Sequence, residues 1–524
     1  MLKKNLLFLF VSLCVFSCSK QASNQDYKKS SYEEGHDYQA NSYSKNEGFE
    51  GEVKKLVAKI FNSIFPHKKN VNTASLLSDV NSSGNSDELH DNLRRLFDAH
   101  KDYHTIYFGE KDCKKYGLPS YILQVSSAIN NTNEYFLISD INFTNNYDID
   151  EILRRFKVGD IIINVNGESP QQRIANILDN NLGANKAAKK SRALESFFES
   201  KFPISYRVVV FRDGQYISVD IPEVSLTNHV CIKKRQESSF DKVKNEDIYQ
   251  INSFDDFAYV KLKTFLYDTS YDHFLSLKNV IDDLKYKILS QSKNKLIIDV
   301  RNNGGGYAEL SDILAYLFYD PNSNKSFFPM YYRLKATNIN VNKAEDIIRN
   351  NPYFILKYNI IQERNVLYDA ISNNKEYTEN FPMISNELLN TIEPGFFTTY
   401  AGKEIYLLTN SKCYSGCDSF VAVLKDQHLI TKVIGEDEQT GGGGASVLEI
   451  DREAENISKN FYFQTSWEQM QSKTETGFRL IEGEGTYADC VLPKNLEDFS
   501  TYDPILNDEN YIKRVIQKIK RNEC

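Results

Sequence analysis

Apolar positions along the chain change their period several times, and the changes mark its organisation. An apolar run at 6–16 gives way to a stretch to about 48 with almost no aliphatic residues, rich in Ser, Asn, Tyr, Lys and Glu, which reads as a flexible tether. Val53, Leu56, Val57, Ile60, Phe61 and Ile64 recur at three- and four-residue steps and predict a helix over 52–65; Leu89, Leu93, Leu96 and Phe97 predict another over 87–100, with the turn at 82–86 between them. From Lys101 to Phe108 the pattern shortens to strand-like alternation. Strand runs follow at 121–125, 135–138, 161–165, 206–211 and 216–221, with helices over 171–178 and 184–198. Residues 226–250 form a polar connector. Beyond it the pattern becomes α/β: a strand at 257–262, a helix over 270–290, a short aliphatic strand at 295–300, and strands at 405–408 and 432–434 flanking a helix over 417–429. Residues 320–400 are more weakly patterned and read as an insertion near the site. No internal repeat is visible.

At 524 residues the chain exceeds one ordinary core, so two or three domains are expected. A net charge of −8 with no long basic run offers no field for a phosphate backbone, which argues against nucleic-acid binding. Lys3 and Lys4 ahead of the 6–16 run form an export signal too short to span a bilayer. Ser17-Cys18 after it resembles the lipobox of bacterial lipoproteins, although Phe16 is bulky for that motif; Cys18 would then carry the lipid and anchor the chain to a membrane. The alternative is a plain secretory signal. Either way the chain is expected in the cell envelope (periplasm or outer membrane) or secreted. Besides Cys14 and Cys18, six cysteines remain, at 113, 231, 413, 417, 490 and 524. An even number in an exported chain permits disulfides, and the absence of a Cys-x-x-Cys pair argues against zinc.

Two segments carry the chemistry. In the first, the strand Leu296-Ile297-Ile298-Asp299-Val300 runs into Arg301-Asn302-Asn303-Gly304-Gly305-Gly306. Glycines let backbone amides come close to a substrate, and such a turn can hold an oxyanion. No Gly-Lys-Ser/Thr or dinucleotide-type spacing supports a phosphate loop. In the second, the strand at 405–408 leads through Asn410-Ser411-Lys412-Cys413-Tyr414 to Ser415-Gly416 and a helix. A serine there sits at a helix N-terminus, where the dipole favours developing negative charge; alone, it would more often be a cap.

Together these segments resemble the C-terminal-processing peptidase and tricorn-core clan. That clan pairs an Ile-Ile-Asp-x-Arg-x-Asn-x-Gly-Gly strand-turn with a serine loop about a hundred residues later. The resemblance covers roughly 90–500 of the chain. It implies Ser415 as nucleophile, with Gly305 and Gly416 as oxyanion donors and Gly304 and Gly306 close behind. Cys413 and Cys417 replace the usual small flanking residues and leave a Cys nucleophile as an alternative. One branch of the clan draws its base from a Gly-Lys-Gly turn. Here that turn reads Gly435-Glu436-Asp437-Glu438-Gln439-Thr440-Gly441-Gly442-Gly443-Gly444, without lysine. The other branch, typified by the tricorn core and the chlamydial protease-like activity factor, uses an early His and a late Glu. Lys101-Asp102-Tyr103-His104 and Ile481-Glu482-Gly483-Glu484-Gly485 resemble those segments, and the run Gly183-Ala184-Asn185 with the Ala-rich helix after it also resembles the chlamydial branch. His104 is the implied base, with His100 as rival, and Glu482 its partner, with Glu484 and Glu475 as rivals. Val158-Gly159-Asp160 before a strand and Asn166-Gly167 after it resemble a PDZ domain, a module that adds a peptide to a sheet edge.

The layout expected is thus a signal at 1–18, a tether at 19–50, a helical region with the catalytic His at 51–118, a PDZ-like domain at 119–225, a connector at 226–250 and an α/β peptidase domain of the ClpP/crotonase-like type at 251–524. The activity implied is serine endopeptidase on protein or peptide substrates, with no metal or organic cofactor. Relatives of the chlamydial type are dimers activated by processing of an internal segment, which places any such event in 320–400. The competing readings are a peptide- or lipid-binding protein on a degenerate scaffold, and an esterase, which lacks its Gly-x-Ser-x-Gly elbow here.

Overall fold

The computed structural model describes residues 47–524 apart from 67–70, 101, 103, 110–113, 145, 179–182, 228–242, 269–272, 321, 323–325, 351–353, 385–388, 390–402 and 450–460. The signal, Cys18, the tether up to residue 46, Cys113 and Cys231 lie outside the described residues.

The C-terminal half is built on a six-stranded sheet in the order Tyr249–Phe254, Phe257–Leu262, Lys295–Asp299, Glu404–Thr409, Lys432–Gly435, Cys490–Val491. The first two strands form an antiparallel hairpin and every later pairing is parallel. Alternate residues enter opposite cores. Ala258, Val260, Leu296, Ile298, Ile405, Leu407 and Val433 pack against the helices His273–Ser290, Ala308–Tyr316 and Gly416–Asp426. Phe257, Tyr259, Ile297, Tyr406, Leu408 and Ile434 pack against the helix Pro504–Lys520. Burial on both faces is why these strands read as unbroken apolar runs rather than as polar–apolar alternation.

A second core lies within a five-stranded sheet, Leu123–Asn130, Asn133–Ile141, Ile161–Val165, Tyr206–Arg212, Gln215–Ile221. Asn166 and Gly167 after its third strand both take positive φ, 53° and 89°, as a tight turn of the Asn-Gly kind requires. The helix Tyr147–Leu153, absent from the sequence reading, is too short to show a period and is announced by its cap: Asn146 Oδ1 accepts from the amides of Asp148 and Ile149.

The helical region begins with Glu47–Lys59 and a π-helical turn, Ile60–Ile64, and continues with Thr73–Ser82 and Ser86–Ala99. Thr73–Ser82 was not anticipated, because only Leu76, Leu77 and Val80 mark its buried side. This core closes on Tyr107 and Phe463, from the antiparallel pair Ile106–Gly109 and Phe461–Ser466. Residues 320–400 are less of an insertion than their pattern suggests. Met330, Tyr332, Leu334, Val341, Ala344 and Leu367 enter the main core, and Tyr331–Leu334 pairs with Glu468–Thr474. The helix Phe354–Ser372 carries apolar residues around much of its circumference, which hides its period. No helix among the described residues is long and apolar enough to cross a membrane.

The main core also encloses carboxylates. Burial pushes Asp312 and Glu468 up to about 7, and raises Glu309 and Glu363 as well. Asp312 accepts from Ser419 Oγ at 3.2 Å and from the Met330 amide at 3.3 Å, and Glu468 accepts from Ser446 Oγ. Acids whose folded value exceeds the unfolded one take up protons on folding. For Asp312 and Glu468 that contribution is most favourable below an unfolded value of about 4 and is lost as pH rises through about 7. Glu436 works the other way: burial opposes ionisation, yet Lys494 and Arg301 hold it down to about 2. Its contribution is complete above about 4.5 and is lost as pH falls toward 2. The melting temperature is therefore expected to peak near pH 5 and to decline by pH 8; a thermal-shift series showing no decline would mean the buried acids ionise without cost.

Candidate active site

Ser415 stands where strand Glu404–Thr409 has crossed a short loop into helix Gly416–Asp426. It caps the helix with φ 59° and ψ −124°, a conformation a side-chain-bearing residue keeps only when its surroundings impose it. Three restraints do so. Cys413 and Cys417 form a disulfide across the turn, with Cα atoms 5.2 Å apart. The Tyr414 amide donates to Asn303 O at 3.2 Å, which fastens this turn to the glycine turn of the neighbouring strand. Asn302 and Asn410 bind each other across the same gap, at 3.0 and 2.9 Å. The disulfide also engages the two cysteines that stood as alternative nucleophiles.

The glycine turn lies directly against Ser415. A Cβ on Gly305 (φ +97°) would come within 2.5 Å of Tyr414 O and 2.8 Å of Ser415 Cβ, so only glycine fits. The Gly305 amide donates to Asn303 Oδ1 at 2.8 Å, which ties that amide into its own turn. Gly416, at the first helical position, has no helical acceptor for its amide, and its backbone runs beside Gly306. Gly304 faces open space where a side chain would be.

His104 arrives from the N-terminal region, in the turn between helix Ser86–Ala99 and strand Ile106–Gly109. Its ring packs on that of Tyr414, the neighbour of Ser415, with centroids 4.8 Å apart. Asp102 shapes the turn: it is fully buried, Oδ1 accepts the His104 amide at 2.8 Å, and Oδ2 accepts Thr105 Oγ1 at 2.6 Å and Ser466 Oγ. Glu482 comes from near the C-terminus and is also buried. One ligand-type atom from each of Asp102, His104 and Glu482 lies within 4.8 Å of the others. The rivals lie elsewhere. His100 is packed between Phe61 and Phe65, centroids 5.1 and 4.6 Å away. Glu484 is exposed, and Glu475 faces His428 at the surface.

Three features of the site take on a role that the sequence alone did not show. The run Gly441–Gly444 had been noted only for lacking lysine. It is the packing between serine and glutamate: a Cβ on Gly443 would meet the Tyr414 ring at 2.3 Å, and one on Gly444 would meet Glu482 N at 2.3 Å. Asp418, on the helix Ser415 caps, accepts the amides of Gly442 and Gly443 at 3.3 and 2.8 Å, and burial pushes it up to about 6. Asn185 donates to Thr440 O at 2.8 Å and Glu484 O at 3.3 Å, and Glu195 of the same helix pairs with Lys412 at 3.1 Å. The helix Lys186–Glu195 thus touches both loops of the site. Four adjacent glycines were the one signal that could have flagged the close packing.

Closing a five-residue ring contributes only about 2 kcal/mol to stability. Cys417→Ser is therefore expected to lower the melting point by a few degrees while reducing kcat more than tenfold, because the serine turn loses its clamp. Unchanged kcat beside a lowered melting point would assign the disulfide to stability alone.

A serine on a forced strand-to-helix turn of a largely parallel sheet, with an imidazole packed on the ring of the adjacent Tyr414 and a carboxylate near that imidazole, is a constellation suited to nucleophilic acyl transfer. Residues 256–473, which hold Ser415 and the glycine turn, match the model of peptidase family S41, and this match supports serine-type peptidase activity. Among solved structures, mature CPAF complexed with lactacystin aligns with TM-score 0.59 and 15% identity over 91% of this chain and 99% of that one. Mature CPAF alone aligns with TM-score 0.58 and 15% identity, over 91% and 98%. The photosystem II D1 C-terminal processing protease aligns at TM-score 0.36 and 13% identity, over 85% and 95%. None of the curated proteins matches.

Proposed function

We propose that the protein is an exported endopeptidase in which Ser415, His104 and Glu482 act as nucleophile, general base and imidazole partner. The observation that carries this reading is the meeting of His104 and Glu482, from opposite ends of the chain, beside the turn of Ser415. In this mechanism Ser415 Oγ attacks the scissile carbonyl while His104 takes its proton and later returns it to the leaving amine. Glu482 stabilises the imidazolium, and Asp102 fixes the backbone of the His104 turn. The Gly416 amide, beside the turn 304–306, receives the developing oxyanion at the helix N-terminus. The reaction is complete with side chains and amides, and no metal or organic cofactor takes part.

The two disulfides among the described residues, Cys413–Cys417 and Cys490–Cys524, support an oxidising destination and hence the export signal; lipidation at Cys18 and anchoring to a membrane belong to the same proposal on the sequence motif alone. The five-stranded domain is proposed as PDZ-like, offering a sheet edge to the substrate chain. A homodimer and processing within 320–400 belong to the same reading; full-length active chain on a denaturing gel would count against processing.

The test is fluorophosphonate labelling followed by peptide mapping. An adduct on Ser415, lost in Ser415→Ala and in His104→Ala, is the expected result. Folded protein that takes no label would favour a binding scaffold.

A further inference from the structure

Asp102, His104 and Glu482 meet as one nitrogen and two carboxylate donors, all buried, with ligand atoms no more than 4.8 Å apart. We propose that this trio binds a divalent transition metal of the zinc type, and that the bound ion switches the peptidase off. The inhibitory half rests on the role given to His104 above; the binding half does not.

The donor set suits the ion. One imidazole and two carboxylates make a three-ligand zinc site whose remaining position is filled by solvent. Ligands about 2.0–2.2 Å from zinc stand about 3.3–3.6 Å from one another. His104 Nδ1 and Asp102 Oδ1 are 3.9 Å apart, so closing on an ion asks for movement on the order of 1 Å, chiefly from Glu482 on its turn. Asp102 is already oriented. The His104 amide, Thr105 Oγ1 and Ser466 Oγ all donate to its carboxylate, and the Ser466 amide in turn donates to Thr105 Oγ1 at 3.0 Å. Outer hydrogen bonds of this kind hold metal-binding carboxylates in place.

The inhibition follows from the tautomer. Neutral imidazole has one lone pair and one N–H. The nitrogen facing Asp102 is Nδ1. If Nδ1 gives its lone pair to the ion, the single ring proton sits on Nε2, which can then donate but cannot accept the proton of Ser415. The metal needs no contact with the serine to stop the first step. No bond is made or broken beyond coordination, so removing the ion restores the base. Because the ligands must be deprotonated, affinity rises with pH.

The experiment uses purified, tag-free full-length protein. Zinc chloride is expected to abolish peptide hydrolysis, with recovery on adding EDTA, while magnesium chloride at the same concentration has no effect. In parallel, cobalt(II) is titrated into Ser415→Ala, which is inactive by design. Visible absorption of a low-coordinate cobalt site, saturating at one equivalent, is expected, weakened at least about tenfold in Asp102→Asn and in Glu482→Gln, each made in the Ser415→Ala background. Two variants guard against one failing to fold. Absent cobalt absorption, or absorption indifferent to both substitutions, overturns the site. Cobalt binding without zinc inhibition of an active enzyme overturns the switch. A wild-type protein with no peptidase activity would defeat the functional reading while the cobalt titration still decides the metal.

Discussion

Ser415→Ala and His104→Ala are each expected to lower kcat/KM by roughly 10,000- to 1,000,000-fold, and the double variant to fall no further. Without the serine there is no oxygen for the imidazole to deprotonate, and without the imidazole the hydroxyl stays protonated, so each loss already contains the other. The comparison is more discriminating than either single variant. Two unrelated injuries to the fold would add, whereas two parts of one proton transfer do not. The geometry supports the second outcome, since the His104 ring rests on Tyr414, one residue from Ser415. Initial rates on an unfolded protein substrate, read alongside melting curves, would decide. Additive losses, or a His104→Ala enzyme within tenfold of wild type, would move the base elsewhere.

The largest effect on stability is expected at Arg301. Its guanidinium is 2% exposed and meets Asp299 at 2.6 Å, Glu436 at 2.9 Å and Asp508 at 3.1 Å, with the ring of Tyr511 4.6 Å away. Replacing it by methionine preserves length but leaves Asp299 buried with Tyr259 as its remaining side-chain donor, at 2.7 Å. Breaking a buried pair from one side costs about 3–5 kcal/mol. Lysine should not rescue, because a single ammonium lacks the forked donors with which the guanidinium reaches Asp299, Glu436 and Asp508 together. Urea denaturation is the measurement. A loss below about 1 kcal/mol would mean that the carboxylates take up protons when the guanidinium goes. Activity should fall with stability, since Glu436 also receives Asn410, which holds the serine loop to the glycine turn.

The strands of the central sheet were legible because double burial makes them continuous apolar runs, and 257–262 was placed to the residue. Ser415, His104 and Glu482 were singled out through motif resemblance rather than through period, and the structure brings His104 and Glu482 together beside the turn of Ser415. What stayed hidden depended on contacts between distant residues. Asp102 looks like any loop acid until its carboxylate is seen collecting His104, Thr105 and Ser466. Asp418 sits in an apolar helix and gains meaning only from the amides of Gly442 and Gly443. The disulfide could not be assigned among six cysteines by spacing, and the helices of 320–400 were masked by apolar residues on several sides.

The strand that follows His104 pairs with a partner some 360 positions later. Such pairing is among the slowest events in folding, because a very long loop must close before any contact rewards it. The sheet that presents Ser415 is assembled from much nearer neighbours and can form first. A newly made chain would therefore pass through a stage in which Ser415 is in place and His104, the base proposed for it, is not. With that assignment, the order would leave the enzyme silent while its own unfolded segments are still exposed to it, and the topology itself would work as a delay.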